Sequence, residues 1–263
     1  MEKDIEAISI LGTKLNIIQI PGVIDIMERW IKEVETGNYI VIANANDVMM
    51  GRKYQAVNQS INESSLSVAD GISLVWAARV QGRHLERRVY GPDLMLEFLK
   101  TSCHKEYSHF FYGSDPDTLK TMVDKIKTKF PQIKISGFYS PPFRKLTDSE
   151  DEAVAKMINQ SCPDVLWVGL GCPRQQLWMH EHRDKLKVPV MAGVGAAFDF
   201  IAGTKLQAPQ WMRNNGFEWL FRLVTEPKRL WKRYLVGNFI FLWLYLKELV
   251  KIKFLKFSQQ FKP

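Results

Sequence analysis

The sequence predicts an α/β fold in which a mainly parallel sheet is flanked by helices and followed by a C-terminal helical appendage. Short apolar runs alternate with helical patterns of about 10–15 residues, which is the order of βαβ units. The chain has 263 residues, 46% of them hydrophobic and 24% charged, which is enough to bury a sizeable core. Its composition shifts near residues 203–209. We therefore predict an α/β domain over residues 1–204 and an appendage over residues 205–263.

Six strands are predicted in chain order, each from a short apolar run. They are residues 39–43 (YIVIA), a segment ending at residue 70, and residues 109–112 (HFFY), 133–139 (IKISGFY), 165–168 (VLWV) and 188–194. Helices are predicted over residues 117–130, 149–160 and 173–186, and Thr147 or Asp148 would cap the second of these. The five histidines show no catalytic partner, and we expect them on helix surfaces.

The appendage carries the whole charge excess of the chain. Residues 205–263 contain 12 Lys and Arg against 3 Asp and Glu, whereas residues 1–204 contain 24 against 25. The appendage also holds 13 of the 31 aromatic residues. An anionic membrane surface would suit this combination. The alternatives are nucleic acid, which could use the aromatics for stacking, and a basic helical hairpin packed on its own domain.

Several other classes of protein are disfavoured. The longest apolar run has 13 residues (234–246) and falls short of the ~20 that cross a bilayer, so we expect the appendage to lie on a membrane. No signal peptide is expected at the N-terminus. Three scattered cysteines form neither a disulfide framework nor a zinc site, which favours a reducing cytoplasm. The P-loop and G-x-G-x-x-G signatures are absent.

Polar or glycine residues follow five of the predicted strands. They are Asn44, Asp70, Gly113, Gly171 and Gly195. The carboxyl ends of parallel strands lie at one edge of a sheet, where ligands of α/β proteins bind. Glycines there let backbone N–H groups approach phosphates. The sequence therefore predicts one crevice shared by several loops.

Blocks along the chain resemble the WecG/TagA/CpsF glycosyltransferases (glycosyltransferase family 26). The matching blocks are Asn44-Ala45, 69–72 (ADGI), 88–94 (RVYGPDL), 168–175 (VGLGCPRQ), 193–203 (GVGAAFDFIAG), Ala208-Pro209, 216–223 (GFEWLFRL) and 226–229 (EPKR). The resemblance implies a Rossmann-like fold and transfer of a sugar from a UDP-sugar to an undecaprenyl-diphosphate-linked sugar. It implies UDP-N-acetylmannosamine as the donor of TagA members and its uronic acid as the donor of WecG members.

Three groups have side chains suited to this transfer, and Asp70 matches the residue that the resemblance implies as the base. Asp70 would be the general base that takes a proton from the acceptor hydroxyl. Asn44 would orient a sugar, and Arg88 would bind a phosphate or a sugar carboxylate. The plainer interpretations are a turn-forming Asp-Gly at residue 70, an Asn that caps its own turn at residue 44, and a surface pairing of Arg88 with Asp93 or Glu86.

Two further groups would bind the donor. Gln175, near Gly171, would bind a sugar or a phosphate, and Asp199 would accept a hydrogen bond from the uracil. The family usually has Gln-Glu where this chain has Gln175-Gln176, which leaves one carboxylate fewer. The alternative for Asp199 is a cap at the start of a helix.

Neither a metal ion nor a cofactor is expected. Asp115-Pro-Asp117 has the spelling of a metal-binding Asp-x-Asp, but proline flanked by Asp is a good helix start. Cationic side chains would then stabilise the leaving diphosphate, and the appendage supplies Arg222, Arg229 and Arg233. Their spacings of seven and four would place them on one face if they shared a helix.

The sequence therefore predicts an inverting, metal-independent glycosyltransferase. Its partners would be a UDP-sugar donor, a polyprenyl-diphosphate-linked sugar acceptor and the anionic cytoplasmic face of the cell membrane, where it would be peripheral; nucleic acid is not an expected partner. The product would feed surface polysaccharide or wall teichoic acid. The oligomeric state stays open, a homo-oligomer included. The alternative is a non-enzymatic module that binds a membrane surface or nucleic acid through the basic appendage.

Overall fold

The structure is a computed structural model that describes residues 5–260, with side chains as far as residue 252. The strands in this range are β1 (Ala7–Ile10), β2 (Thr13–Asn16), β3 (Asn38–Ala43), β4 (Leu66–Ala69), β5 (Ser108–Gly113), β6 (Lys134–Tyr139), β7 (Val165–Gly169) and β8 (Val190–Gly193). The helices of the α/β part are α1 (Ile20–Lys32), α2 (Ala45–Lys53), α3 (Gln55–Asn62), α4 (Ile72–Val80), α5 (Gly91–Lys105), α6 (Pro116–Lys129), α7 (Asp148–Ser161), α8 (Arg174–His182) and α9 (Ala197–Ala202).

The predicted parallel sheet is confirmed. Six strands have the order β4-β3-β8-β7-β5-β6, and every neighbouring pair is parallel. The six predicted strands correspond to these six. β1 and β2 form a separate antiparallel hairpin that the sequence did not predict. Because the six strands are parallel, the loops that follow them all leave from one edge of the sheet.

Helices cover both faces of the sheet. Along β3, Tyr39 and Val41 point into one core and Ile40 and Ile42 into the other, so the strand is apolar on both sides. The first core lies under α2, α3, α4, α7 and α8, and the second under α1, α5, α6 and α9. This is the doubly wound, Rossmann-like arrangement that the sequence predicts.

The residues predicted to cap the N-termini of two helices are confirmed. The side chain of Thr147 accepts a hydrogen bond from the backbone N–H of Glu150, and the carboxylate of Glu150 accepts one from the backbone N–H of Thr147, which completes a capping box for α7. Asp115 caps α6 by accepting from the N–H of Thr118 at 2.9 Å, with Pro116 in the first helical position. Asp115 is therefore the helix start that the sequence predicts.

The expectation that all histidines lie on helix surfaces is wrong for three of them: His84 is exposed but lies in the loop between α4 and α5, and His109 and His182 are buried. His109 lies in β5, fully buried, where the indole Nε1 of Trp167 donates to its Nδ1 at 3.0 Å; burial lowers the pKa of His109 to about 3. His182, near the end of α8, is buried against Trp178, with its Nε2 2.8 Å from Asp151 Oδ2. Both belong to the packing of the core, because aromatic neighbours exclude water from their rings.

The appendage is helical, as predicted. Its helices are α10 (Gln210–Asn214), α11 (Glu218–Thr225), α12 (Pro227–Trp231), a π-helical segment (Lys232–Gly237) and α13 (Asn238–Gln260). Phe241 and Tyr245 of α13 are buried in the first core, and the Tyr245 hydroxyl donates to the Ala77 carbonyl at 2.7 Å. Within residues 5–260 no helix is both long enough and apolar enough to span a bilayer.

Candidate active site

The loops after neighbouring strands meet above the carboxyl edge of the sheet. A Cβ built on Gly71, which follows β4, would lie 3.4 Å from the Cβ of Asn44, which follows β3. A Cβ on Gly91 would lie 3.2 Å from the carbonyl oxygen of Val194, which follows β8. These close approaches bring Asn44 and Asp70 together at the carboxyl ends of the strands, which is where the sequence predicts a crevice.

Asp70 holds a carboxyl group that titrates near neutrality. The side chain is 26% exposed, but its Oδ1 is buried and has no hydrogen-bond partner among the described residues. Burial is the largest effect and raises the pKa of Asp70 to about 7, with Glu218 and Asp47 raising it further and Arg88 and Arg222 lowering it. A carboxylate with this pKa can accept a proton at neutral pH and hold it.

Arg88 lies between two carboxylates. Its Nη2 pairs with Glu218 Oε2, while its Nη1 lies 3.7 Å from Asp70 Oδ1 and donates to the Asp70 carbonyl at 3.4 Å. Its guanidinium also lies over the ring of Tyr90, 4.2 Å from the ring centre. Arg88 therefore lies beside Asp70, and its contact with Glu218 replaces the pairing with Asp93 or Glu86 that the sequence left open.

Asn44 caps α2, as its plainer interpretation predicts. Its Oδ1 accepts from the N–H of Asn46 at 3.0 Å, and its own N–H donates to Asp47 at 2.8 Å. The same Oδ1 accepts from Arg233 Nη2 at 3.1 Å. The oxygen of the amide is thus committed to the protein, which leaves the Nδ2 group to reach a ligand.

Asp47 and Gln176 form a buried pair beneath Asn44, and sequence reasoning missed both as site residues. Gln176 Nε2 donates to Asp47 Oδ1 at 2.8 Å, and burial raises the pKa of the Asp47 carboxyl. A glutamate at position 176 would bring a second carboxylate against Asp47. The amide of Gln176 avoids that repulsion. Their separation of 129 positions in the sequence explains why no sequence pattern joined them.

Gln175 supports the loops after β7 and β8. It is buried, and its Oε1 accepts from the N–H of Gly171 at 3.1 Å. A Cβ on Gly193 would lie 3.0 Å from Gln175 Nε2, so this side chain fills the space between the two loops. Gly171 has φ +76°, which an L-residue rarely adopts. Gln175 thus holds the shape of the glycine loop at the crevice.

Asp199 lies in the first turn of α9 and pairs with the appendage. Its Oδ2 is 2.9 Å from Lys205 Nζ, and its carbonyl accepts from the N–H of Thr204. The carboxylate is partly exposed and therefore open to solvent on one side. Asp199 does not cap α9, because Ala196 holds the N-cap position and no side-chain cap hydrogen bond is made there, so the capping alternative is wrong. A role in binding uracil stays a prediction.

The three arginines of the appendage do not all lie on one helix. The sequence spacing that would have put them on one helical face therefore does not apply. Arg222 lies in α11, Arg229 in α12 and Arg233 in the π-helical segment. The break falls at Glu226, whose φ of −133° and ψ of 54° leave the helical region before Pro227. A residue before proline disfavours the α conformation, and the proline ring cannot continue the preceding helix.

The three arginines also differ in their partners. Arg229 is largely exposed and pairs locally with Glu226 at 2.5 Å, whereas Arg233 reaches Asn44. Arg222 Nε is buried without a hydrogen-bond partner in the described part of the chain, and its guanidinium lies over the ring of Phe200 at 5.8 Å. A buried, unpaired guanidinium N–H beside the crevice is a candidate contact for an anionic ligand.

The appendage exposes many large apolar side chains. We call them together the apolar face, and they are Leu206, Trp211, Phe217, Leu220, Val224, Trp231, Leu235, Val236, Phe239, Ile240, Leu242, Trp243, Leu246 and Val250. The exposed basic residues Lys228, Arg229, Lys232, Lys247 and Lys251 are interspersed with them. An exposed apolar patch with cationic neighbours marks an interaction surface.

Comparison with known proteins identifies the family. Residues 8–254 match the family described as Glycosyl transferase WecG/TagA/CpsF. The chain belongs to this family. The predicted glycosyltransferase class is thereby confirmed, and the alternative of a non-enzymatic module is set aside. No group of three or more metal-ligating side chains lies together within the described residues.

Individual members of the family are similar over most of their length. A protein of Bacillus subtilis (strain 168) is 32% identical over 212 residues, which is 81% of this chain and 80% of that protein. One from Staphylococcus aureus (strain NCTC 8325 / PS 47) is 29% identical over 224 residues, 85% of this chain and 86% of that protein. Both are named N-acetylglucosaminyldiphosphoundecaprenol N-acetyl-beta-D-mannosaminyltransferase.

Proposed function

We propose that this glycosyltransferase moves a sugar of the N-acetylmannosamine type, or a related uronic acid, from a UDP-sugar to a polyprenyl-diphosphate-linked N-acetylglucosamine. The names of the relatives support the acceptor and the transferred sugar. The observation that carries the proposal is Asp70, a carboxyl group that follows β4, lies 3.7 Å from Arg88 and has a pKa raised by burial to about 7. That value matches the working pH of a general base.

The reaction is a single displacement. Asp70 takes the proton of the acceptor hydroxyl, whose oxygen forms a bond to the anomeric carbon as the bond from that carbon to UDP breaks. Inversion at the anomeric carbon follows because the two oxygens occupy opposite faces. Negative charge develops on the leaving diphosphate, where the unpaired Nε of Arg222 is available to donate a hydrogen bond. The Nδ2 of Asn44 remains free to orient a sugar hydroxyl.

The reaction takes place at a membrane surface in this proposal. The apolar face and its basic residues support docking on anionic lipid, since each Lys or Arg near such a surface adds ~1 kcal/mol. The inner sides of the same segments contact the crevice through Glu218, Arg222 and Arg233. The appendage therefore has one side for the lipid and one for the active site, which brings a lipid-linked acceptor to Asp70.

The test is a panel of UDP-sugars scored for UDP release with a short-chain polyprenyl-diphosphate-N-acetylglucosamine. We expect release that depends on the acceptor, a donor of the N-acetylmannosamine series, and a product with inverted anomeric configuration by NMR. The control omits the acceptor and measures simple hydrolysis. Equal release with and without the acceptor, or none with any donor, would contradict the proposal.

A further inference from the structure

Glu218 is a buried carboxylate that the reaction described above does not use. It is the first residue of α11 in the appendage and is only 6% exposed. Both of its oxygens bind the α/β part: Oε2 pairs with Arg88 Nη2, and Oε1 accepts from the Tyr90 hydroxyl at 3.1 Å. Arg88 also stacks on the Tyr90 ring. These contacts fix the guanidinium in one place, because both its plane and one of its edges are held.

Arg88 is shared between the two carboxylates, but unequally. Its contact with Glu218 is a direct ion pair, whereas Asp70 Oδ1 stands 3.7 Å from Nη1 and makes no hydrogen bond with it. An arginine fork pairs readily with a single carboxylate through two parallel hydrogen bonds. Without Glu218, the nearest acceptor for the freed Nη2 edge of Arg88 is Asp70. A close pair of that kind would favour ionised Asp70 and occupy the oxygen that receives the proton.

We propose that Glu218 is a positioning residue that draws the Arg88 guanidinium away from Asp70 and so keeps Asp70 able to accept a proton. The proposal rests on the function proposed above, in which Asp70 is the base. Glu218 belongs to the appendage, so it reaches Arg88 only when α11 is seated on the α/β domain. The basicity of the active site is thereby tied to the seating of the appendage.

The charges around Asp70 agree with this role. Arg88 from the segment before α5, Glu218 and Arg222 from α11, and Asp47 from α2 face it. The two cations lower the pKa of Asp70 and the two carboxylates raise it. Removing the charge of Glu218 therefore lowers the pKa of Asp70 in two ways. A like charge near Asp70 is lost, and Arg88 is released to pair with Asp70.

The decisive measurement is the titration of Asp70 by ¹³C NMR on the full chain with labelled aspartate, assigned through loss of the signal in Asp70→Asn. In Glu218→Gln we expect the midpoint of Asp70 to fall by about 1 pH unit or more. The matched control is Glu248→Gln, another appendage carboxylate that binds the α/β part, at the backbone N–H of Leu11 (2.9 Å), away from Asp70. In this control the titration midpoint of Asp70 should equal that in the wild type.

A second background separates the two effects of Glu218. In Arg88→Gln the cation is gone, so Glu218→Gln should then move the midpoint of Asp70 by less than about half as much. The same shift in both backgrounds, or no shift in the first, would overturn the proposal.

Kinetics provide an independent readout. The acidic limb of the pH profile of kcat/KM should move down with the midpoint in Glu218→Gln, and the plateau should fall about three- to tenfold because the base is weaker. An unmoved acidic limb would contradict the proposal. If the wild type transfers no sugar from any UDP-sugar, the proposed function fails, while the titration still decides what Glu218 does to Asp70.

Discussion

Arg233 of the appendage donates from Nη2 to the Oδ1 of Asn44 at 3.1 Å, across 189 residues of sequence. The same oxygen caps α2 through the N–H of Asn46. One amide oxygen thus fixes both the start of a helix in the α/β domain and the position of the π-helical segment. The Nδ2 group of Asn44 remains as the part of the side chain that can contact a sugar.

The substitution Asn44→Asp separates these tasks. A carboxylate caps a helix as well as an amide, and its ion pair with Arg233 offsets the repulsion from Asp47, so the melting temperature should stay within about 2 °C of the wild type. It cannot donate from Nδ2, so turnover should fall at least about tenfold. Thermal unfolding measures the melting temperature, and UDP release measures turnover. Unchanged turnover would show that the amide donor contributes nothing to transfer.

The substitution Asp70→Asn should change how stability depends on pH. The folded pKa of Asp70, about 7, lies above its ordinary value, so the folded state holds the proton between about pH 4 and pH 7 while the unfolded chain loses it. The contribution of Asp70 to stability therefore falls as pH rises through that window. Asparagine does not titrate.

We therefore expect the free energy of unfolding of Asp70→Asn, relative to that of the wild type, to increase as the pH is raised from 5 to 8. The gain should be about 2 kcal/mol, less than the full shift implies because a quarter of the side chain faces solvent. Thermal unfolding of both proteins at the two pH values measures it. If the difference in stability between the variant and the wild type is the same at pH 5 and pH 8, Asp70 does not titrate between these pH values.

Transfer should persist in excess EDTA. The Asp115 carboxylate accepts the N–H of Thr118, which lowers the pKa of Asp115 and commits one of its oxygens to the cap of α6. Asp115-Pro-Asp117 therefore acts as a helix start, and the arginines supply the positive charge. Turnover is measured before and after EDTA treatment. Loss of activity that Mn²⁺ or Mg²⁺ restores would revive the Asp-x-Asp interpretation.

The apolar face should bind anionic vesicles. Replacing Phe239, Trp243 and Leu246 by serine removes three exposed apolar side chains without touching the buried Phe241 and Tyr245. Co-sedimentation with phosphatidylglycerol vesicles should drop about tenfold or more, because each lost contact costs on the order of 1 kcal/mol or more.

Two controls make the vesicle result specific. Phe143→Ser removes an exposed apolar side chain outside the appendage and should bind vesicles like the wild type. The triple variant should turn over a water-soluble acceptor analogue at the wild-type rate, and high salt should weaken vesicle binding of the wild type. Undiminished sedimentation of the triple variant would refute docking through this face.

The parallel sheet and the polar residues at its strand ends follow from local sequence. Apolar runs such as residues 39–43 and 165–168 can only be buried, and the polar residues directly after them must lie at the strand ends. That reasoning placed Asn44 and Asp70 correctly. Helix α5 was not predicted, although proline at its start, in Gly91-Pro92, is a local helix-start pattern.

The electrostatic partners of these residues do not follow from local sequence. Glu218 meets Arg88 across 130 residues, and Asp47 meets Gln176 across 129. Such pairs depend on how the appendage and the loops pack, which no local pattern specifies. For the same reason the spacing of the arginines suggested one face, while Pro227 divides them between segments.

The central claim is that Asp70 is the base of a glycosyl transfer, and one pair of measurements on Asp70→Asn tests it most directly. Turnover is followed by UDP release with the best donor, and UDP affinity is measured by calorimetry. Loss of a general base costs about 10²–10⁴-fold, so turnover should fall by at least about 100-fold while the Kd for UDP stays within about threefold of the wild type. Turnover within about threefold of the wild type would contradict the assignment of Asp70 as the base.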